Sequence, residues 1–137
     1  MQDVSSCKEI VKRFNEEVIA QGRKDVFDEL MDPEFINHSA PTANKGPDSM
    51  WNTFHNILRP AFPDLKVIIH DQVAEGKMVT TRKSIVGTHL GPLMGIAPTR
   101  KPISIEVIDI VRVKDGKYAE HWGMNNFPSV IEELRQV

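Results

Sequence analysis

The sequence predicts an α+β fold, in which a curved antiparallel sheet wraps around N-terminal helices to form a cone with one deep pocket. Two observations carry this prediction. Helix-periodic segments come first, alternating segments follow, and one short helical segment comes late; segregated elements favour a single antiparallel sheet. The run Ile103–Val113 alternates at period two, which gives a strand two distinct faces. At 137 residues the chain is read as one domain over 1–137, long enough to bury a core without metal or disulfide staples.

Ser6 followed by Glu9 is a capping-box pattern. The helix it opens places Ile10, Val11, Phe14, Val18 and Ile19 along one side, and Gln21-Gly22 ends it. A second helix, about Lys24 to Met31, turns Val26, Phe27, Leu30 and Met31 inward and is broken by Asp32-Pro33. Phe35-Ile36-Asn37-His38 reads as a short extended arm, and 39–46, with Pro41 and Asn44, as a loop. Pro47 suits the first turn of a third helix, which carries Met50, Trp51, Phe54, Ile57 and Leu58 and stops before Pro60.

Strands are predicted over Leu65–Val73, Met78–His89, Ile103–Val113 and Tyr118–Met124. A long loop, Leu90–Pro102, divides them, and a final helix runs from Asn126-Phe127-Pro128 through Leu134. Five aliphatic residues share the odd-numbered face of the third strand with one carboxylate, Asp109. Such a carboxylate is costly unless it is paired, hydrogen-bonded or in a wet pocket. Asp109 is therefore the first candidate for chemistry.

The turn at Lys114-Asp115-Gly116-Lys117 sets which residue faces it. A two-residue turn pairs Asp109 with Trp122; a three-residue loop with Gly116 left-handed pairs it with His121. The second is preferred, because it puts Ala119, His121 and Gly123 on the face of Asp109 and Val107 and leaves room for a ligand. Asp109 and His121 are then direct neighbours, with Cβ atoms roughly 5 Å apart, and Asp109 either favours protonated His121 or orients it as an acid–base group. A structural ion pair is the competing use.

Further pocket candidates are Asn37 and His38 at the cone mouth, where the competing use is an extended segment bonding its own loop; His89 at a strand end, for which capping the loop is the preferred reading; and Arg82, which either serves an internal carboxylate or points to water. Trp51 and Phe54 belong most simply to the core, on a helical face that also forms the apolar wall of such a pocket. The five histidines lack the close spacing of a zinc site, so no metal is expected. There is no phosphate-binding glycine loop and no nucleophile elbow. A net charge of −2 gives no general pull toward nucleic acid. No apolar run approaches a membrane span. The N-terminus lacks the basic start and apolar stretch of a signal peptide. The single cysteine, Cys7, fits a reducing compartment, so a cytoplasmic location is expected.

Several short motifs stand in order: Gly87-Thr88-His89-Leu90-Gly91, Gly95-Ile96-Ala97-Pro98-Thr99, Ile108-Asp109-Ile110-Val111-Arg112, Asp115-Gly116-Lys117 and Glu120-His121-Trp122. Asp32-Pro33-Glu34-Phe35, Asn37-His38 and Ala61-Phe62-Pro63-Asp64 precede them. Together they resemble the SnoaL-like polyketide cyclase family, within the superfamily of nuclear transport factor two and ketosteroid isomerase. The resemblance implies a cone with one deep pocket and a homodimer formed through the sheet. It also implies ring closure by intramolecular aldol condensation without cofactor or metal. The family's last-strand catalytic aspartate falls on Gly123 here, whereas Asp109, Asn37 and His121 match polar pocket positions.

The resulting expectation is a cofactor-free enzyme acting on an apolar or aromatic oxygenated small molecule by aldol-type cyclisation, isomerisation or lyase chemistry. Asp109 and His121 would be catalytic. Asn37, His38, Trp51, Phe54, Arg82, His89, Val107 and Gly123 would contact substrate. The alternative is a non-catalytic small-ligand binding protein on the same fold. A third possibility is an interaction module that docks through Ile108, Ile110 and Trp122.

Overall fold

The structure is a computed structural model that describes residues 4–41 and 45–136; Asn44 of the expected loop lies outside them. Helix α1 (Val4–Arg13) runs into a π-helical stretch (Phe14–Ala20). It is already under way at Val4, so Ser6 sits inside its first turns rather than capping it. Gly22, at φ +71°, ends this rod as the sequence suggests. Helix α2 (Lys24–Leu30) leads directly into strand β1 (Met31–Asn37). Pro33 breaks the helix but is tolerated in an edge strand, where its missing donor is not needed.

Helix α3 (Pro47–Trp51), a π-helical stretch (Asn52–Leu58) and α4 (Arg59–Ala61) follow. The third helix therefore passes through Pro60 instead of stopping before it. Pro60 lies at the start of a fresh α-turn, where no amide donor is required. Strands β2 (Lys66–Glu75), β3 (Met78–Thr88), β4 (Pro102–Lys114) and β5 (Lys117–Asn125) and helix α5 (Phe127–Arg135) complete the chain.

The sheet order is β1-β5-β4-β3-β2. Its meander is antiparallel, but β1 lies parallel to β5, Asn37 beside His121. The curved, unclosed sheet folds its inner face over the helices, and the core fills the space between. Phe14 stacks on Tyr118 at 4.1 Å, and Phe35 leans on the same tyrosine at 5.8 Å. Among the described residues no helix is long and apolar enough to cross a membrane.

The β4–β5 hairpin corrects the expected register. Lys114 pairs with Lys117 across a two-residue turn, with Asp115 at φ +51° and Gly116 at φ +78°, as a tight primed turn requires. Register then shifts: Val113 faces Tyr118, while Arg112 faces Glu120. Ala119 is the extra residue of a β-bulge. Asp109 consequently pairs with Gly123, not with His121 or Trp122. The bulge still returns His121 and Gly123 to the face of Asp109. The shared face expected of a three-residue loop thus arises by a different device, without the direct Asp109–His121 pairing.

The loop between β3 and β4 is pinned to the helices. The amides of Leu90 and Gly91 both donate to the Ala61 carbonyl. His89 is fully buried. Its Nδ1 accepts the Thr99 amide at 3.2 Å and lies 3.0 Å from the Thr99 hydroxyl, so it clasps the loop's two ends.

Candidate functional site

A hollow of about 360 Å³ opens between the inner sheet face and the α3–α4 helical rod. Met50, Phe54, Ile57, Ile85, Ile105, Val107 and Phe127 give it apolar walls. Asn37, Lys83, Asp109 and His121 form its polar part, with Gly123 beside them. Mostly apolar walls with a few convergent polar groups are the usual make-up of a small-molecule site.

Asp109 is 2% exposed and stands at the centre. Its Oδ2 lies 3.2 Å from His121 Nε2 and 3.1 Å from Lys83 Nζ. Its strand neighbours are Thr81 and Gly123, so both partners reach it along sheet diagonals. The far side of the imidazole is also held: His121 Nδ1 lies 2.9 Å from Asn37 Oδ1. Asn37 Oδ1 accepts the Ser39 amide at 3.1 Å, and Ser39 Oγ accepts the Gly123 amide at 2.6 Å. Edge strand, loop and last strand are thereby locked together at the mouth.

Burial pushes the Asp109 carboxyl upward, but the Lys83 ammonium and the His121 hydrogen bond outweigh it. The group is held below its ordinary value of 3.8. Burial, with Asp109 adding, pushes the Tyr118 hydroxyl well above its ordinary range. Tyr118 therefore stays neutral, its ring 6.4 Å from that of His121.

Of the expected site residues, the structure gathers Asn37, Phe54, Val107, Asp109, His121 and Gly123 around this hollow. It does not bring four others to it. Arg82 points to the outer face and pairs with Asp71 at 2.6 Å. His38 stacks on Trp122 at 4.6 Å and bonds Glu120 at 3.0 Å. Trp51 packs on Phe27 and His55. His89 belongs to the loop clasp. Two of them depart for a geometric reason: Arg82 has outward strand parity, and His38 lies just beyond β1 against Trp122 and Glu120.

Two residues were missed. Lys83 shares inward parity with Val79, Thr81 and Ile85 and is 3% exposed. Asn15 is fully buried on the inner side of the first helical rod and bonds Lys83 at 2.6 Å. The signal was present for both, in strand alternation and in helical spacing from Val11 to Val18.

Gly123 has a steric role. A Cβ there would lie 2.7 Å from His121 Cε1 and 3.1 Å from Nε2. Gly123→Ala is expected to displace the imidazole from Asp109 and cost about 1–3 kcal/mol. The change is measurable as altered His121 ring ¹⁵N shifts and a lowered melting temperature. Unchanged ring shifts would contradict it.

A model of the SnoaL-like polyketide cyclase family matches residues 9–134. The chain is 26% identical over 117 residues to nogalonic acid methyl ester cyclase of Streptomyces nogalater, covering 82% of this chain and 86% of that protein. It is 27% identical over 140 aligned positions to aklanonic acid methyl ester cyclase DnrD of Streptomyces peucetius, covering 98% and 92%. Among solved structures it resembles TsrD from Streptomyces laurentii, with TM-score 0.85, 23% identity and all of both chains covered. IdmH from Streptomyces antibioticus gives 0.81 at 24% identity, with 93% of this chain and 97% of that one covered. These two structural likenesses speak for the fold. The chain belongs to the SnoaL-like polyketide cyclase family.

Proposed function

We propose that this protein is a cofactor-free cyclase-type enzyme that binds an apolar, oxygenated small molecule in the hollow and uses Asp109 as acid/base. The observation that carries this is a single buried carboxylate on an otherwise apolar wall, with His121 and Lys83 on one of its oxygens. Asp109 Oδ1 has no partner among the described residues. A base needs a vacant, oriented lone pair of this kind. Asn37 fixes the imidazole. Phe54 and Val107 supply surface for a ring or chain. The reaction class is aldol-type cyclisation, isomerisation or related lyase chemistry.

The low-lying carboxyl gives weight to a second reading, a ligand-binding protein without turnover, because a weaker base abstracts protons less readily. The two part on one experiment. The protein is incubated in D₂O with the methyl esters of nogalonic and aklanonic acids. Enzyme-dependent ring closure or C–H exchange supports catalysis. A raised melting temperature with unchanged compound supports binding alone. Neither effect would remove both readings for these compounds.

A homodimer through the sheet is also proposed. Ile68, Ile108, Ile110 and Met124 leave an apolar outer face exposed, more than scattered surface apolars require. Sedimentation is expected to report a dimer at micromolar concentration, and Ile108→Lys to shift it toward monomer. A strictly monomeric wild type would refute this. A cytoplasmic setting fits the buried thiol of Cys7.

A further inference from the structure

Resting on the hollow as the reactive site, we propose that Lys83 is a ligand-contacting residue. Its remaining ammonium hydrogen holds the ligand oxygen that carries or develops negative charge, beside the unpartnered Asp109 Oδ1.

Lys83 does not behave as a surface lysine caught by chance. It is 3% exposed and lines the hollow. An ammonium has three donors. Asn15 Oδ1 takes one at 2.6 Å and Asp109 Oδ2 another at 3.1 Å. Asn15 is oriented by its own Nδ2, which donates to the Val11 carbonyl at 2.9 Å. The lysine is therefore clamped from the first helical rod and from β4. One hydrogen is left for a ligand.

The surroundings of His121 point the same way. Its ring nitrogens are both taken, Nδ1 lying 2.9 Å from Asn37 Oδ1 and Nε2 3.2 Å from Asp109 Oδ2. The imidazole has no nitrogen left for a ligand, and Lys83 is the group with a hydrogen to give.

The chemistry balances with this chain's residues alone. Asp109 Oδ1 takes a proton from a carbon next to a ligand carbonyl. The C–H bond breaks and an O–H bond forms. The electron pair becomes a C=C bond, and the carbonyl oxygen becomes an enolate oxygen against Lys83. The negative charge moves from carboxylate to ligand while the Lys83 ammonium stays in place. No new charge is created in the hollow, which favours the transfer despite the weak base.

The test uses the full chain and nitrophenols of graded acidity, whose phenolates are distinguished by absorbance. Wild type is expected to bind them with an ionised-to-neutral ratio at least about tenfold above that in buffer at the same pH, one pK unit. Lys83→Met is expected to remove most of this enrichment and Lys83→Arg to keep much of it. The Lys83 Nζ ¹⁵N signal of wild type is expected to move on binding, a readout that does not depend on the variants folding. Equal enrichment in Lys83→Met would overturn the proposal. So would an unmoved Nζ signal with phenolate in the hollow. Binding of the neutral phenol alone would overturn it while leaving the D₂O result for the reactive site to stand by itself. No binding, with unmoved Lys83 and His121 signals, would overturn both.

Discussion

Asp109→Asn is expected to lower turnover by about 10²–10⁴-fold, the range for loss of a positioned acid–base group. It is also expected to destabilise the fold by about 3–5 kcal/mol, because breaking a buried ion pair leaves its partner uncompensated. The partner here is Lys83, 3% exposed, with His121 beside it. An inert site residue would show neither loss. A spectator ion pair would show only the second. Adding Lys83→Met to Asp109→Asn is expected to restore much of the stability and none of the turnover. Urea unfolding of the four species of this cycle isolates the coupling. Additive losses would deny the pair.

The same substitution changes the acid limb of stability. The folded carboxyl lies below its ordinary value of 3.8. The unfolded state therefore binds the proton more readily, and stability rises with pH in this range. The contribution is complete above the ordinary value and is lost as pH falls from there through the depressed folded value. Wild type is expected to lose stability steeply below about pH 4. Asp109→Asn is expected to show a shallower limb from a lower plateau. Identical slopes would place the acid sensitivity elsewhere.

Phe14→Ala is the second large effect, at about 3–5 kcal/mol, the usual range for emptying a fully buried aromatic site. The ring is 0% exposed, 4.1 Å from that of Tyr118 and 6.2 Å from that of Phe27. It is the tie between the first helical rod and β5. Its removal leaves a cavity beside Asn15, the residue that clamps Lys83. A lowered urea midpoint with unchanged m-value is expected. Turnover, measured where the variant is folded, is expected to fall less than with Asp109→Asn. A loss under 1 kcal/mol would mean that the helix and sheet repack freely, contrary to the density of a native core.

Much of this was legible before folding. The alternation of β4 put Asp109 among five aliphatic residues, and all six are inward in the structure. The apolar spacing of the first helix named its buried side. Asn37 and His121 came with the motifs. What failed was phase. In β3, Arg82 and Lys83 are adjacent, and a shift of one residue exchanges their faces. Of the two destinations the sequence leaves open for Arg82, the structure takes the one toward water, and the inward parity of Val79, Thr81 and Ile85 gives the inner side to Lys83. The Ala119 bulge was not readable either, since Tyr118 and Ala119 are both buried and a local alternation has no place for that.

By itself the sequence determined the element order, the inward face of β4 and the presence of an acid where apolar residues prevail. Those properties depend on periodicity and on neighbours along the chain. Only the tertiary structure decided that Asn15 and Lys83, 68 positions apart, bond each other and that the lysine reaches that acid. It also settled the uses left open by the sequence: Arg82 outward on Asp71, Trp51 in the core and His89 in the loop, with His38 drawn to Trp122 and Glu120. Contacts between distant segments depend on strand register, bulges and the seating of helices on the sheet, and these are settled by packing the whole chain at once.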